Sequence, residues 1–322
     1  MAARRKLPSI VPGARVSYDA AKPAAFIAPI ETSIFIGVAV LLSYRHGYHA
    51  GNHADVLKHA LLCLLLKKLT SKDSPCIYFD THAGAGSYDL NQQWAQQTGE
   101  YAEGIERLLS CDAPPAGLTD LLNIVRNERQ HKPMAYPGSP DIARQLLRPQ
   151  DKLVFMELHN NEVRALKRNC RGDKRISFHH RDGFEGLIGL TPPPIARGLA
   201  LIDPSYEVKA DYEKAATCVS KSAARWSTGT FAVWYPLLGI NNNRADLLLK
   251  RLKSGTTQSL LIAELAVKTP SEDFGMHGSG MAIINPPWQL DTQLQGLLPS
   301  LATLLAQDDK AGWKLEWLRE KE

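Results

Sequence analysis

The chain has 322 residues, 44% of them hydrophobic and 22% charged, proportions of an ordinary globular protein that exclude a disordered or collagen-like chain. Its five cysteines, Cys63, Cys76, Cys111, Cys170 and Cys218, form no C-x-x-C pair, which excludes a disulfide framework or zinc ribbon and fits reduced thiols in a cytosol. The net charge is +5, and three of those charges fall within residues 1–41, so charge alone argues little for a nucleic-acid partner.

Residues 1–41 differ in kind from the rest of the chain. They combine a basic start, the prolines Pro8, Pro12, Pro23 and Pro29, and an apolar run, Ile34–Leu42. The run falls short of the roughly 20 apolar residues that a membrane span needs. No small-residue cleavage site of a signal peptide comes after it. The expectation is an N-terminal extension, poorly ordered or the product of a start site placed too far upstream, ahead of one domain over 42–322, with no membrane association.

From Leu42 onward apolar periods alternate. Val56–Leu69 spaces its leucines as a helix does, and Cys76–Phe79 reads as a buried strand. About seventy residues then separate that strand from the next. A structureless loop of such length is improbable, so a small helical subdomain is expected at about 90–135, with helices near Tyr101–Ser110 and Leu118–Gln130. Beyond it, Leu153–Leu158, Arg175–His179, Leu199–Ile202, Thr230–Tyr235 and Leu260–Val267 read as further parallel strands. Glu162–Cys170, Tyr212–Arg225 and Arg244–Lys253 read as helices between them. A strand at Met281–Ile284, a helix from Asp291 and a short segment at Trp313–Arg319 complete the chain. The alternation predicts an α/β fold, a Rossmann-like doubly wound sheet with helices on both faces.

Chemistry gathers where strands end. Asp80-Thr81-His82-Ala83-Gly84-Ala85-Gly86 is a strand followed by a glycine-rich turn, the place where an open α/β sheet lets its backbone approach a ligand. Glu157 ends the second strand, where a carboxylate accepts both hydroxyls of a ribose. Asp182-Gly183 follows the third, and Asp203-Pro204-Ser205-Tyr206 the fourth. Any one of these is explained by a turn or helix cap; four in register point to a site.

The tetrapeptide is the most specific of them. An acidic or amide residue, then proline, then an aromatic, after an apolar strand, suits methylation of an exocyclic amine. Adenine N6 is a poor nucleophile because its lone pair is delocalised into the ring. Hydrogen bonds from its hydrogens to Asp203 and to the Pro204 carbonyl help localise that pair. Tyr206 then offers a ring for an extruded base. Asn285-Pro286-Pro287-Trp288 carries the amide form of the signature. It comes after the last sheet strand and is read as a turn.

The block Leu42–His46 with His49–His59 closely resembles the start of the bacterial RlmJ family, S-adenosylmethionine-dependent methyltransferases acting on adenine N6 in 23S ribosomal RNA. The likeness continues through Asp80–Gly86, Thr98–Tyr101, Tyr136–Pro140, Glu157–His159, Arg181–Gly183, Asp203–Tyr206, Trp234–Pro236, Gly278–Met281 and Asn285–Trp288. The resemblance implies a class I methyltransferase fold with the helical insert after the first strand. It implies cofactor contacts at His59, His82, Ser139, Glu157, Asp182, Gly183 and Asp203, and catalysis at Asp203 with Pro204 and Tyr206. Tyr44 and Lys58 are the implied RNA contacts. Ser205 departs from the family, which has a second proline there.

The histidines His46, His49, His53 and His59 fall within fourteen residues, but zinc sites combine histidines with cysteine or carboxylate ligands at characteristic spacings. The nearest cysteine, Cys63, lies on a leucine-rich helix as a core residue, so no metal is expected. The expected function is methyl transfer from S-adenosylmethionine to N6 of one adenine in 23S rRNA. The RNA is naked or in an early assembly particle, and the enzyme a cytoplasmic monomer. The alternatives are an N6-adenine DNA methyltransferase and a non-catalytic RNA-binding or ribosome-assembly protein on the same fold. No separate target-recognition domain for DNA is visible, and the intact carboxylates favour catalysis.

Overall fold

The computed structural model describes residues 46–272 and 275–320; the expectations for 1–41 and for Tyr44 lie outside the described residues. A 3₁₀ turn, His46–Tyr48, leads into helix α1 (His53–Thr70). Asn52 caps α1 by accepting the backbone N–H groups of Ala54 and Asp55. Every residue from His53 to Leu66 is buried, so α1 is enclosed on all sides.

Strand β1 (Ile77–Asp80) follows, then a short antiparallel pair, β2 (Ser87–Asp89) with β3 (Ala135–Pro137). Between β2 and β3 run α2 (Gln93–Thr98), α3 (Ile105–Leu109) and α4 (Thr119–His131). The single helix expected over Tyr101–Ser110 is broken at Gly104 into a 3₁₀ turn and α3. A Cβ at Gly104 would lie 2.1 Å from the Gly51 carbonyl oxygen, so the insert can seat itself on the turn before α1 only with glycine there.

The remaining elements are α5 (Ser139–Leu146), β4 (Lys152–Glu157), α6 (Asn160–Asn169), β5 (Ile176–His180), α7 (Gly183–Leu190), β6 (Gly198–Ile202) and α8 (Asp211–Arg225). They continue through β7 (Thr230–Leu238), α9 (Ala245–Gly255), β8 (Leu260–Ala266), β9 (Met276–Ile284), α10 (Leu290–Leu304) and β10 (Gly312–Arg319). The large sheet has the order β10-β8-β9-β7-β6-β1-β4-β5. From β7 to β5 all pairs are parallel. β9 runs antiparallel to both β7 and β8, and β10 antiparallel to β8. This is the class I methyltransferase sheet, with one further strand at an edge.

The run Leu260–Val267 reads in the sequence as a parallel strand, but its partners are antiparallel on both sides. An apolar run reports burial on both faces and carries no information on direction. β9 starts at Met276, five residues before the expected Met281; Gly278 and Gly280 hide its first half from a strand pattern.

Side chains alternate between two cores. Tyr78, Leu153, Phe155, Leu199 and Leu201 join α1, the insert and α10 on one face. Ile77, Phe79, Met156, Ala200 and Ile202 join α7, α8 and α9 on the other. The carboxyl ends of β6, β1, β4 and β5 therefore stand side by side along one sheet edge. Among the described residues no helix is long and apolar enough to cross a membrane.

Candidate active site

A cavity of about 460 Å³ opens along that edge. Asp203 follows the last residue of β6, Glu157 ends β4, and Asp182 lies two residues past β5. All three line the cavity, together with His59, His82, Ser139, Lys58, Pro204 and Tyr206. Of the residues expected in the site, Gly183 is buried and forms no part of the cavity wall. Its missing side chain is nevertheless required, since a Cβ there would lie 1.9 Å from the Thr81 carbonyl oxygen. The close approach brings the next residue, Phe184, to the wall, where its ring meets His82 edge-on at 4.9 Å.

Glu157 is held from below. Its Oε2 accepts the Gly84 N–H at 2.8 Å and its Oε1 the His159 N–H at 2.7 Å. These bonds fix the carboxylate plane at the strand tip, and burial pushes its pKa up against their opposition. A carboxylate so placed accepts hydroxyl donors arriving from the cavity. Asp182 caps α7 through Oδ1 and the Glu185 N–H at 3.0 Å. His82 is pushed down to about 4 by burial, and its Nδ1 shares a hydrogen with the Thr81 hydroxyl at 2.7 Å. His59 is pushed down to about 3 by burial, and its Nδ1 lies 2.8 Å from the Tyr136 hydroxyl. Both rings are therefore neutral at physiological pH.

The catalytic end is ionic. Lys58 places Nζ 2.6 Å from Asp203 Oδ2 and 2.8 Å from Asp55 Oδ1. Burial opposes its charge, but the two carboxylates outweigh burial and raise its pKa above that of an ordinary lysine. Asp55 is 1% exposed; burial acts against its charge, yet its interactions with His46 and with the Lys58 ammonium hold its carboxyl well below the usual range. Its Oδ2 takes hydrogen bonds from the Gly51 N–H and from His46 Nε2, both at 2.9 Å. The Lys58 ammonium also sits 5.7 Å from the centre of the Trp234 ring.

Tyr206 has φ +56° and is 6% exposed. Its hydroxyl donates to the Trp234 carbonyl at 2.8 Å, and its ring packs on Tyr212 at 4.3 Å. The ring reaches the cavity as part of an aromatic cluster and is not a free-standing platform. Asn285–Trp288 lies at the opposite edge of the sheet. β9 runs antiparallel to β7, so Asn285 meets Thr230 and Ser259 near the starts of β7 and β8. That placement keeps the second signature away from Asp203.

Asp55 and Trp234 are site residues that the sequence reading does not single out. Asp55 and Lys58 stand at i and i+3 on α1, a spacing that puts both on one face and offers a signal. Three of the four clustered histidines are separately engaged: His46 with Asp55, His49 with Glu100 at 3.0 Å, and His59 with Tyr136, while the buried Nδ1 of His53 has no hydrogen-bond partner among the described residues. Among the described residues no group of three potential ligands could hold a metal ion.

Asp80, which ends β1, is fully buried and accepts the Tyr78 hydroxyl at 2.9 Å. Burial pushes its pKa up to about 6, against the Ser139 and Tyr78 hydroxyls. The native chain thus keeps a proton that the unfolded chain releases near 3.8, and folding loses stability as pH rises between those values. Asp80→Asn is expected to stabilise the protein above pH 6, by on the order of 1–3 kcal/mol. The gain should fade as pH falls toward 4. Calorimetric scans at both ends of that range check it, and a gain that does not change with pH would refute the cause.

The family profile described as "Ribosomal RNA large subunit methyltransferase D, RlmJ" matches residues 73–319. "Ribosomal RNA large subunit methyltransferase J" of Escherichia coli is 42% identical over 279 residues, 86% of this chain and 99% of that protein. The protein of the same name from Haemophilus influenzae is 39% identical over 280 residues, with the same coverage. A crystal structure of a Legionella pneumophila protein superposes with TM-score 0.76 at 35% identity, covering 84% of this chain and 98% of that one. With the strand order and the carboxylates already in place, the chain belongs to the RlmJ family of ribosomal RNA large subunit methyltransferases.

Proposed function

We propose that the protein transfers a methyl group from S-adenosylmethionine to N6 of an adenine in 23S ribosomal RNA. The observation that carries this reading is Asp203 at the β6 tip, one oxygen on Lys58 and the other without a protein donor among the described residues, in the same cavity as Glu157. The names of the two relatives supply the substrate class, large-subunit ribosomal RNA. The cradle fits the cofactor: a fixed carboxylate for its ribose hydroxyls, Asp182 for its adenine amine, and apolar Phe184 and Leu158 in the wall. When bound, S-adenosylmethionine supplies an electrophilic methyl on a sulfonium.

The chain's own residues then act on the nucleobase. Asp203 Oδ1 accepts one N6 hydrogen and the Pro204 carbonyl the other, drawing the nitrogen lone pair toward the methyl. As the N–C bond forms, the methyl–sulfur bond would break to leave a neutral thioether; the released N6 proton passes to Asp203 or to water, and no covalent enzyme intermediate is involved. Neutral His59 and His82 add no charge that would compete with the sulfonium for the carboxylates. An adenine reaches this edge only when unstacked, which favours naked 23S rRNA or an early assembly particle over the packed subunit. We place the enzyme in the cytoplasm as a monomer.

The test is labelled methyl transfer to unmodified 23S rRNA, with duplex DNA as control and nucleoside analysis of the product. N6-methyladenosine from the rRNA alone is expected. Labelling of DNA instead would move the enzyme to the DNA reading, and cofactor binding without transfer to either would favour a non-catalytic factor.

A further inference from the structure

We propose that Asp55 is a positioning residue for methyl transfer: it anchors the Lys58 ammonium so that one oxygen of Asp203 is pinned and the other stays open to the target amine. This inference rests on the methyl-transfer reading of the site.

Four bonds form a directed chain. The Gly51 N–H and His46 Nε2 both reach Asp55 Oδ2 at 2.9 Å. Asp55 Oδ1 holds Lys58 Nζ at 2.8 Å, and Nζ holds Asp203 Oδ2 at 2.6 Å. Asp55 is 1% exposed and its oxygens are taken by these donors, so it acts on the substrate only through Lys58. Lysine is a point charge with three donors on a flexible stem. With a single carboxylate partner it is drawn to straddle both oxygens, and at Asp203 that would cover Oδ1. A second carboxylate on the far side prevents this. It pulls the ammonium off the Asp203 bisector and leaves a lone pair aimed at the cavity. The titratable groups facing Asp55 are His46 from the 3₁₀ turn and Lys58 and His59 from its own helix. Asp203 and Asp55 face Lys58.

Asp55→Asn tests the arrangement because an amide has one acceptor oxygen where the carboxylate has two. The Gly51 N–H is fixed in the backbone and claims that oxygen, which turns the NH₂ toward the Lys58 ammonium. Two donors then face each other, and Nζ moves wholly onto Asp203. The expected result is a kcat lower by about 10- to 100-fold, with KM for S-adenosylmethionine and for rRNA unchanged. Asp55→Glu, which restores the charge, should recover part of the loss.

A double-mutant cycle separates positioning from a purely structural counter-ion role. In a Lys58→Met background the carboxylate has no ammonium to place, so adding Asp55→Asn should cost no further activity. If Asp55→Asn alone fails to fold, the same comparison of Asp55→Asn/Lys58→Met with Lys58→Met still decides, because the double variant contains no unpaired buried ammonium. A wild-type kcat in Asp55→Asn, a loss shared equally by KM, or a full further loss in the Lys58→Met background would each overturn the role of Asp55. A wild-type chain that transfers no methyl would instead overturn the reading of the site.

Discussion

Asp203→Ala is expected to lower methyl transfer by about 10³-fold or more, on the order of 4 kcal/mol of transition-state stabilisation, while leaving the fold in place. The fold should survive because Lys58 keeps its second carboxylate at Asp55, 2.8 Å away, so no buried ammonium is orphaned. The subtler variant is Asp203→Asn. An amide at this position is chemically competent in principle, since its carbonyl can accept an N6 hydrogen. Here the Lys58 ammonium at 2.6 Å claims that carbonyl and turns the NH₂ toward the amine. Asp203→Asn should therefore fail almost as badly as Asp203→Ala. Asp203→Asn/Lys58→Met, with the competitor gone, should exceed Asp203→Asn. Single-turnover rates on saturating rRNA would measure all three, and an active Asp203→Asn would show that Lys58 does not dictate the orientation.

The second large effect is on cofactor affinity. Glu157→Gln should weaken S-adenosylmethionine binding by about 100-fold, roughly 2.7 kcal/mol, within the range for hydrogen bonds to a charged group. The amide cannot satisfy both the Gly84 and His159 N–H groups and still present an acceptor to a ribose. One of those donors meets an NH₂, and the glycine turn beneath the cofactor shifts with it. Isothermal titration reads the affinity directly, and kcat at saturating cofactor should change little. Burial raises the Glu157 pKa, so wild-type affinity should begin to fall with acid at a pH above the usual carboxylate range. Glu157→Gln should lose that pH dependence. An affinity equal to wild type would remove Glu157 from the cofactor site.

Much of the site is legible in the sequence because strand ends concentrate chemistry. Asp80, Glu157, Asp182 and Asp203 each stand at or just past the end of a strand, and the sheet order brings those ends together. The features that stay hidden do so for physical reasons. Gly183, Gly186 and Gly189 dilute the helical signal of α7, although Asp182 caps it as a helix start should be capped. Pro140 near the start of α5 likewise reads as a break when taken without its context. Asp55 sits in the first turn of α1, where an acid is explained by the helix dipole alone. Only the approach of Asp203, 145 residues along from Lys58, reveals the bridge. Tyr206 is legible as an aromatic, but its left-handed backbone and its bond to Trp234 belong to tertiary structure.

The turn before α1 is gripped by residues far along the chain: Ile105 N–H donates to the Gly51 carbonyl, Asn52 and His49 reach Glu100, and Thr98 reaches the Tyr48 carbonyl. In kinetic terms this makes the ionic centre a product of late loop closures. Helix α1 leaves the ribosome early with Asp55 and Lys58 already side by side, yet the lysine acquires Asp203 only after the insert and then β6 have been synthesised. Closing such long loops costs entropy before any contact is gained. Recovery of activity on refolding should therefore follow the slowest structural phase, and no fragment ending before β6 can carry a working centre.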